Sequence, residues 1–272
     1  MVERKMYGWL AEAFRQEGVD TCFALLGDAN MNWATALSGL GTDMVYVRHE
    51  HCAVAAAMAY ARKTGDVGVA TVTCGPGLTQ VLTALPAAVR AQLPLVVFAG
   101  EAPLKAARYN QAIDQAPFIR ATGATYHSLH HPPRMAEAVR DAFLEARTTN
   151  RPVVIGVPFD LQDLDIVEPL NLPRPSTELV PKVGPIPPNK DDIAEAAARI
   201  NGAERVVVMA GMGAVAAGAG PACRLLAERC DAMLATTLPA RGLFHDDPYS
   251  IGVAGGFSDT STTVEIGTRC LV

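Results

Sequence analysis

Six short apolar, β-rich runs alternate with segments of helical spacing along the first part of the chain, and this alternation limits the possible folds most. The runs are Thr21 to Leu26, Asp43 to Val47, Gly68 to Cys74, Leu95 to Ala99, Ala124 to Ser128 and Pro152 to Val157. Helical spacing fills the intervals near 3–18, 30–39, 50–64, 78–91, 111–121 and 133–147. Strands that are apolar on both faces must be covered on both faces, and strands joined by helices pair in parallel. The sequence therefore predicts an α/β fold, a doubly wound parallel-sheet domain over residues 1–167. Glu168 to Asn189 carries seven prolines and little periodicity. Proline breaks helices and central strands, so 168–189 is expected to be an extended surface linker. A second, Rossmann-like unit is expected over 190–272, with strands at Arg205 to Ala210 and Ala232 to Thr237. Cys270-Leu271-Val272 reads as the start of another strand. An apolar end of that kind exposes an unpaired edge, so this unit is expected to be cut short.

Composition narrows the partners. Half of the 272 residues are apolar and the formal charge is −5, with acids and bases interspersed. No basic run offers a footprint for nucleic acid or an anionic membrane. Met1 to Asp20 mixes charges into apolar positions, which is an amphipathic helix without a signal core. No apolar stretch approaches the ~20 residues of a membrane span. The six cysteines are scattered, with no Cys-x-x-Cys pair and no histidine at ligand spacing. They predict a reduced, cytoplasmic protein with no structural metal.

Chemistry concentrates at three loops. Val47-Arg-His-Glu-His51 hands a strand to an Ala-rich helix and delivers the Glu50 carboxylate at the helix start. A glutamate there is commonplace, because the free N–H groups and the dipole favour negative charge. It also stands at the carboxyl end of a parallel strand, where open α/β sheets bind ligands. Thr73-Cys74-Gly75-Pro76-Gly77 is a strand followed by a tight turn, a common junction in any α/β protein. In Leu26-Gly27-Asp28-Ala29-Asn30, Asp28 or Asn30 is placed to cap the next helix. His130-His131, next to two prolines, is expected to be a solvated loop pair. Gly211-Met-Gly213-Ala-Val-Ala216 fits the permissive dinucleotide pattern, but the next strand ends Ala235-Thr-Thr237 with no acid for a ribose, which disfavours NAD.

Taken in order and spacing, Arg48-His-Glu50, Gly75-Pro-Gly77, Gly156-Val-Pro-Phe-Asp160 and the Gly255-Gly256 region resemble thiamine diphosphate enzymes, the acetolactate synthase group in particular. The resemblance runs from the first helix to Gly256. It implies that residues 1–167 are a pyrimidine-binding domain and that 190–272 is part of the central domain. It implies that Glu50 hydrogen-bonds a ring nitrogen of the cofactor's aminopyrimidine and serves as the catalytic acid–base group, while the thiazolium acts as electron sink. Gly27, Thr73, Gly75, Pro76, Gly77 and Gln111 would line the cofactor, Gln111 matching the glutamine of a Phe-Gln-Glu-Val-Asp segment. The chain departs from the group at Leu26 and Asp28, which replace a proline and a glycine. A carboxylate at 28 would repel a 2-oxo acid unless it points away.

The implied reaction is decarboxylation and carboligation of a 2-oxo acid by a homodimer or homotetramer. Magnesium and the diphosphate belong to a third domain in this group, with a Gly-Asp-Gly motif and a downstream Asn. Gly27-Asp28-Ala29 is not that motif, so this chain holds no metal and is expected to be inactive alone. The Gly211 turn would bind FAD or ADP, or be structural. Two other readings are a non-catalytic nucleotide-binding or assembly subunit and a flavin-linked oxidoreductase.

Overall fold

The computed structural model describes residues 4–106, 108–166, 171–181, 184 and 186–258. The chain divides into two compact units, Met1–Val183 and Gly184–Val272. The sheet of the first unit contains β1 (Thr21–Ala24), β2 (Asp43–Tyr46), β3 (Gly68–Val72), β4 (Leu95–Glu101), β5 (Thr125–Ser128) and β6 (Pro152–Pro158). Their order is β2-β1-β3-β4-β6-β5 and every pairing is parallel. The all-buried runs β3 and β6 lie inside the sheet. At one edge, β2 leaves Val45 and Tyr46 exposed.

Helices cover both faces, as the apolar-on-both-sides strands require. On one face α1 (Met6–Gln16), α2 (Met31–Gly39) and α7 (Met135–Thr149) pack on Val96, Phe98, Val153 and Ile155. Trp33 stacks on Phe98 with ring centroids 4.1 Å apart, and Phe14 meets Trp33 and Phe143 edge-on. Such pairs add about 0.5–1.5 kcal/mol each beyond the area they bury. On the other face α3 (Glu50–Thr64), α5 (Ala84–Arg90) and α6 (Gln115–Ala121) pack on Val72, Leu95, Val97 and Val154. Alternate residues of β4 thus serve opposite cores.

Three local expectations change. Residues 78–91 do not form one helix: α4 (Pro76–Thr79) ends where Thr79 Oγ1 donates back to Pro76 O, and the chain reaches α5 through tight turns. Leu78, Val81 and Leu85 are nevertheless all buried, as their helical spacing predicts. Residues 111–114 are also outside a helix, because Pro117 lacks an N–H and fits only a first turn, so α6 begins at Gln115. In the proline-rich stretch, Ser176–Leu179 forms a helical turn where an extended linker was expected. Glu17 Oε1 accepts the Ser176 N–H at 2.9 Å, and Arg147 Nε donates to Ser176 Oγ at 3.1 Å.

In the second unit β7 (Val207–Ala210), β8 (Met233–Thr236) and β9 (Ser250–Val253) form a parallel sheet in the order β9-β8-β7. Its core is Ala210, Ala227, Ala232, Leu234 and Phe244. The strand expected at Cys270 to Val272 lies outside the described residues. Among the described residues no helix is long and apolar enough to cross a membrane.

Candidate active site

The strand order sets the location. β1 pairs with β2 on one side and β3 on the other, so the loops leaving β1 and β3 part company at their carboxyl ends. Such a reversal opens a crevice, and open α/β sheets bind ligands there. Gly27 lies in the loop after β1, Thr73 to Gly77 follow β3, and Glu50 begins α3 after β2.

Close approach between these loops is measured by what side chains would hit. A Cβ on Gly77 would lie 2.6 Å from Thr73 Cγ2 and 3.1 Å from Glu50 Oε1. A Cβ on Gly27 would lie 2.7 Å from Thr73 Oγ1. Gly75 has φ +59°, a region costly for any residue with a Cβ, and a Cβ there would collide with the Gln111 carbonyl oxygen. Gln111 Oε1 also accepts the Cys74 thiol at 3.3 Å. Pro76 opens α4 and is exposed. The structure therefore brings Gly27, Glu50, Thr73, Gly75, Pro76, Gly77 and Gln111 into one neighbourhood.

Local sequence explains each placement. His49 caps α3, its Nδ1 accepting the His51 N–H at 3.1 Å, so Glu50 starts the first turn. Asp28 or Asn30 was expected to cap α2; Asn30 holds the cap position, but its side chain makes no cap bond there. Fully buried, it accepts the Gly27 N–H at 2.8 Å and donates to Leu25 O and Thr71 Oγ1, both at 3.0 Å. Asn30 thereby pins the Gly27 loop to β3. Asp28 beside it is exposed.

The wall near Gln111 is polar but unreactive. Burial raises the Cys74 thiol pKa and Asp28 adds to the rise, while the Thr73 and Tyr109 hydroxyls oppose it. Burial first, then Cys74 and Asp28, also raise the Tyr109 phenol. Both groups stay neutral at pH 7, so Cys74 is no nucleophile. Thr73 Oγ1 is buried without a hydrogen-bond partner of ordinary geometry.

Several contributing residues escaped the sequence reading. Gln115 Oε1 accepts the Gly75 N–H at 2.7 Å, and no motif marks it. His130 is not simply solvated: its Nε2 lies 2.7 Å from Glu101 Oε2, although the ring is half exposed. His131 is exposed. Among the described residues no group of three or more His, Cys, Asp or Glu is arranged to hold a metal ion.

Residues 4–118 match the family model described as thiamine pyrophosphate enzyme, N-terminal TPP binding domain. Residues 193–268 match the model for the central domain of the same enzymes. The chain belongs to the thiamine pyrophosphate enzyme family. Among its relatives, the acetolactate synthase large subunit of Parasynechococcus marenigrum is 33% identical over 257 residues, 90% of this chain and 41% of the relative. A probable acetolactate synthase large subunit of Methanocaldococcus jannaschii is 32% identical over 255 residues, 90% of this chain and 42% of the relative. The 2-hydroxyacyl-CoA lyase 2 of Danio rerio is 37% identical over 173 residues, 61% of this chain and 28% of the relative. The chain thus spans about two-fifths of the length of the acetolactate synthases it matches.

Proposed function

We propose that Glu50, Gly27, Thr73, Gly75, Pro76, Gly77 and Gln111 hold the aminopyrimidine of thiamine diphosphate in an acetolactate synthase-like enzyme. The reaction is decarboxylation of a 2-oxo acid and joining of the product to an acceptor. One observation carries the reading: Glu50 Oε1 faces a backbone with no side chain, across a space that a single methyl group on Gly77 would crowd. Bare Gly77 puts no side chain beside that carboxylate, so the edge of a flat ring can approach it there. The buried Thr73 hydroxyl, without a partner of ordinary geometry, is a group left for a ligand to satisfy.

When bound, the cofactor supplies the electron sink that a 2-oxo acid lacks. Glu50 holds or releases a proton at Oε1 toward a ring nitrogen. His49 fixes where that carboxyl starts by capping α3, and Asn30 holds the Gly27 loop in place opposite Thr73. The neutral Cys74 and Tyr109 fill the wall without adding charge.

We assign Mg2+ and the diphosphate to a separate domain, of this polypeptide or of a partner, in a homodimer or homotetramer that light scattering on the complete enzyme would size. Gly211, which starts the short helix Met212–Ala216, would belong to a site for FAD or ADP or else be structural, and a visible spectrum reads flavin directly. The cysteines described are all free, which suits a reducing cytoplasm.

The deciding variant is Glu50→Gln in the complete enzyme. Glutamine keeps the size and one hydrogen bond but cannot exchange the proton, so turnover should fall about 10²- to 10⁴-fold. Near-normal turnover in a folded variant would return Glu50 to a helix-start role.

A further inference from the structure

Gln115 belongs to none of the motifs, yet it ties the Gly75 turn to the rest of the sheet. The residue is 5% exposed. Its Oε1 accepts the Gly75 N–H at 2.7 Å, and its Nε2 donates to Gly100 O at 3.0 Å and to Tyr126 Oη at 2.8 Å. One acceptor contact and two donor contacts leave the amide a single satisfied orientation, because a flip would set NH2 against the Gly75 N–H.

The chain of bonds continues outward. Tyr126 donates to Glu101 Oε1 at 2.5 Å, and Glu101 also accepts Ser128 Oγ and meets His130 Nε2, both at 2.7 Å. Burial and the Glu101 charge push the Tyr126 phenol far above its ordinary pKa, so Tyr126 stays the donor. Gly156 on β6 leaves the space that this pair occupies. Glu101 ends β4 and Ser128 ends β5, both regular strands. The bonds therefore run from the carboxyl ends of two strands to the turn.

Within the turn, Gly77 N donates to Cys74 O at 3.3 Å and Thr79 N to Gly75 O at 3.1 Å. Holding the Gly75 N–H fixes the Cys74–Gly75 peptide plane, which aims Cys74 O at Gly77. That in turn sets how far Gly77 stands from Glu50. We propose that Gln115, held by Tyr126 and Glu101, is a positioning residue that fixes the Gly75–Gly77 turn opposite Glu50. The proposal rests on the reading of Glu50 and this turn as the pyrimidine half-site.

A purely structural amide would lower stability when removed and leave the response to cofactor unchanged. The test uses the complete enzyme with Gln115→Met, which keeps volume and removes all three bonds, and with Tyr126→Phe, which cuts only the outer hold. Two quantities are read: the thiamine diphosphate concentration for half-maximal rate, and hydrogen exchange at Gly75. For Gln115→Met the half-saturating concentration should rise about tenfold, the factor that one net hydrogen bond represents. Turnover at saturating cofactor should be largely kept, because without a steric block the bound cofactor selects the native turn, and only the binding-competent fraction of the free protein falls. The Gly75 amide should exchange faster while β3 and β4 stay protected. Tyr126→Phe should move both readings the same way by less, since Gly100 O still holds Gln115.

Unchanged half-saturation, or a lowered melting temperature alone, would overturn the proposal. Should Gln115→Met fail to fold, Tyr126→Phe decides by the same criteria. Glu50→Gln, measured alongside, separates the two ideas. If that variant is active, the half-site reading falls; if it is inactive while Gln115→Met behaves as wild type, only the role of Gln115 falls.

Discussion

Gly77→Ala would place one methyl group at the narrowest point of the candidate site. Its Cβ would lie 2.6 Å from Thr73 Cγ2, where carbon atoms in contact prefer about 3.5–4.0 Å. The shortfall is about 1 Å, and the same Cβ would sit 3.1 Å from Glu50 Oε1. Gly77 is not among the residues with positive φ, so the backbone itself accepts alanine. Removing the glycine's freedom favours the variant by about 0.4–1 kcal/mol, and overpacking opposes that by about 1–3 kcal/mol. The net loss of stability should be no more than roughly 2.6 kcal/mol. Function should suffer more. Either Thr73 turns or the Gly75–Gly77 turn draws back from Glu50, and a displacement near 1 Å costs on the order of 10²-fold in rate. The assay is turnover of the complete enzyme beside its thermal melt. Thr73→Ser removes Cγ2, so the double variant should recover at least about tenfold, because the two side chains share one contact. Full activity in folded Gly77→Ala would refute the reasoning. A double variant no better than the single one would take the cause away from Thr73.

This 272-residue chain by itself should bind thiamine diphosphate and Mg2+ only weakly. A charged hydrogen bond to the pyrimidine contributes about 1.5–3 kcal/mol, whereas micromolar affinity needs roughly 8; calorimetric titration that gave a micromolar constant would show a diphosphate site in this chain. Glu17→Gln should flatten the pH dependence of stability. Burial raises the Glu17 pKa above its ordinary value, so the folded state holds the proton more tightly and wild-type stability declines as pH rises from the unfolded value to the folded one. Denaturant melts at several pH values measure this, and an unaltered slope in the variant would contradict it.

The doubly wound fold was legible because its signal is repeated. Runs such as Leu95 to Ala99 are apolar on both faces, and only a covered parallel sheet satisfies that pattern. Glu50 and the Gly75 turn were legible because each stands at a strand end with its neighbours in fixed order. What escaped were groups whose partners lie far along the chain. Asn30 looked like a helix cap because local chemistry allows it; its partner Thr71 is visible only once β1 and β3 pair. His130 looked solvated because nothing in His130-His131-Pro132 announces Glu101. Gln115 follows an unremarkable Asp114, and the start of α6 there was set by Pro117 two residues on, which a search for apolar spacing passes over.

The bond from Asn30 Nδ2 to Thr71 Oγ1 spans 41 residues, and that from Gly75 N to Gln115 Oε1 spans 40. Pairings of that range cost loop-closure entropy that the pairing of the strands must offset. A fragment ending before Gln115 lacks the acceptor that the Gly75 N–H takes in the complete fold. The crevice is thus acquired together with the central sheet, and it is lost with it. During synthesis of the chain the Gly75 N–H likewise has no Gln115 to meet until α6 has been made.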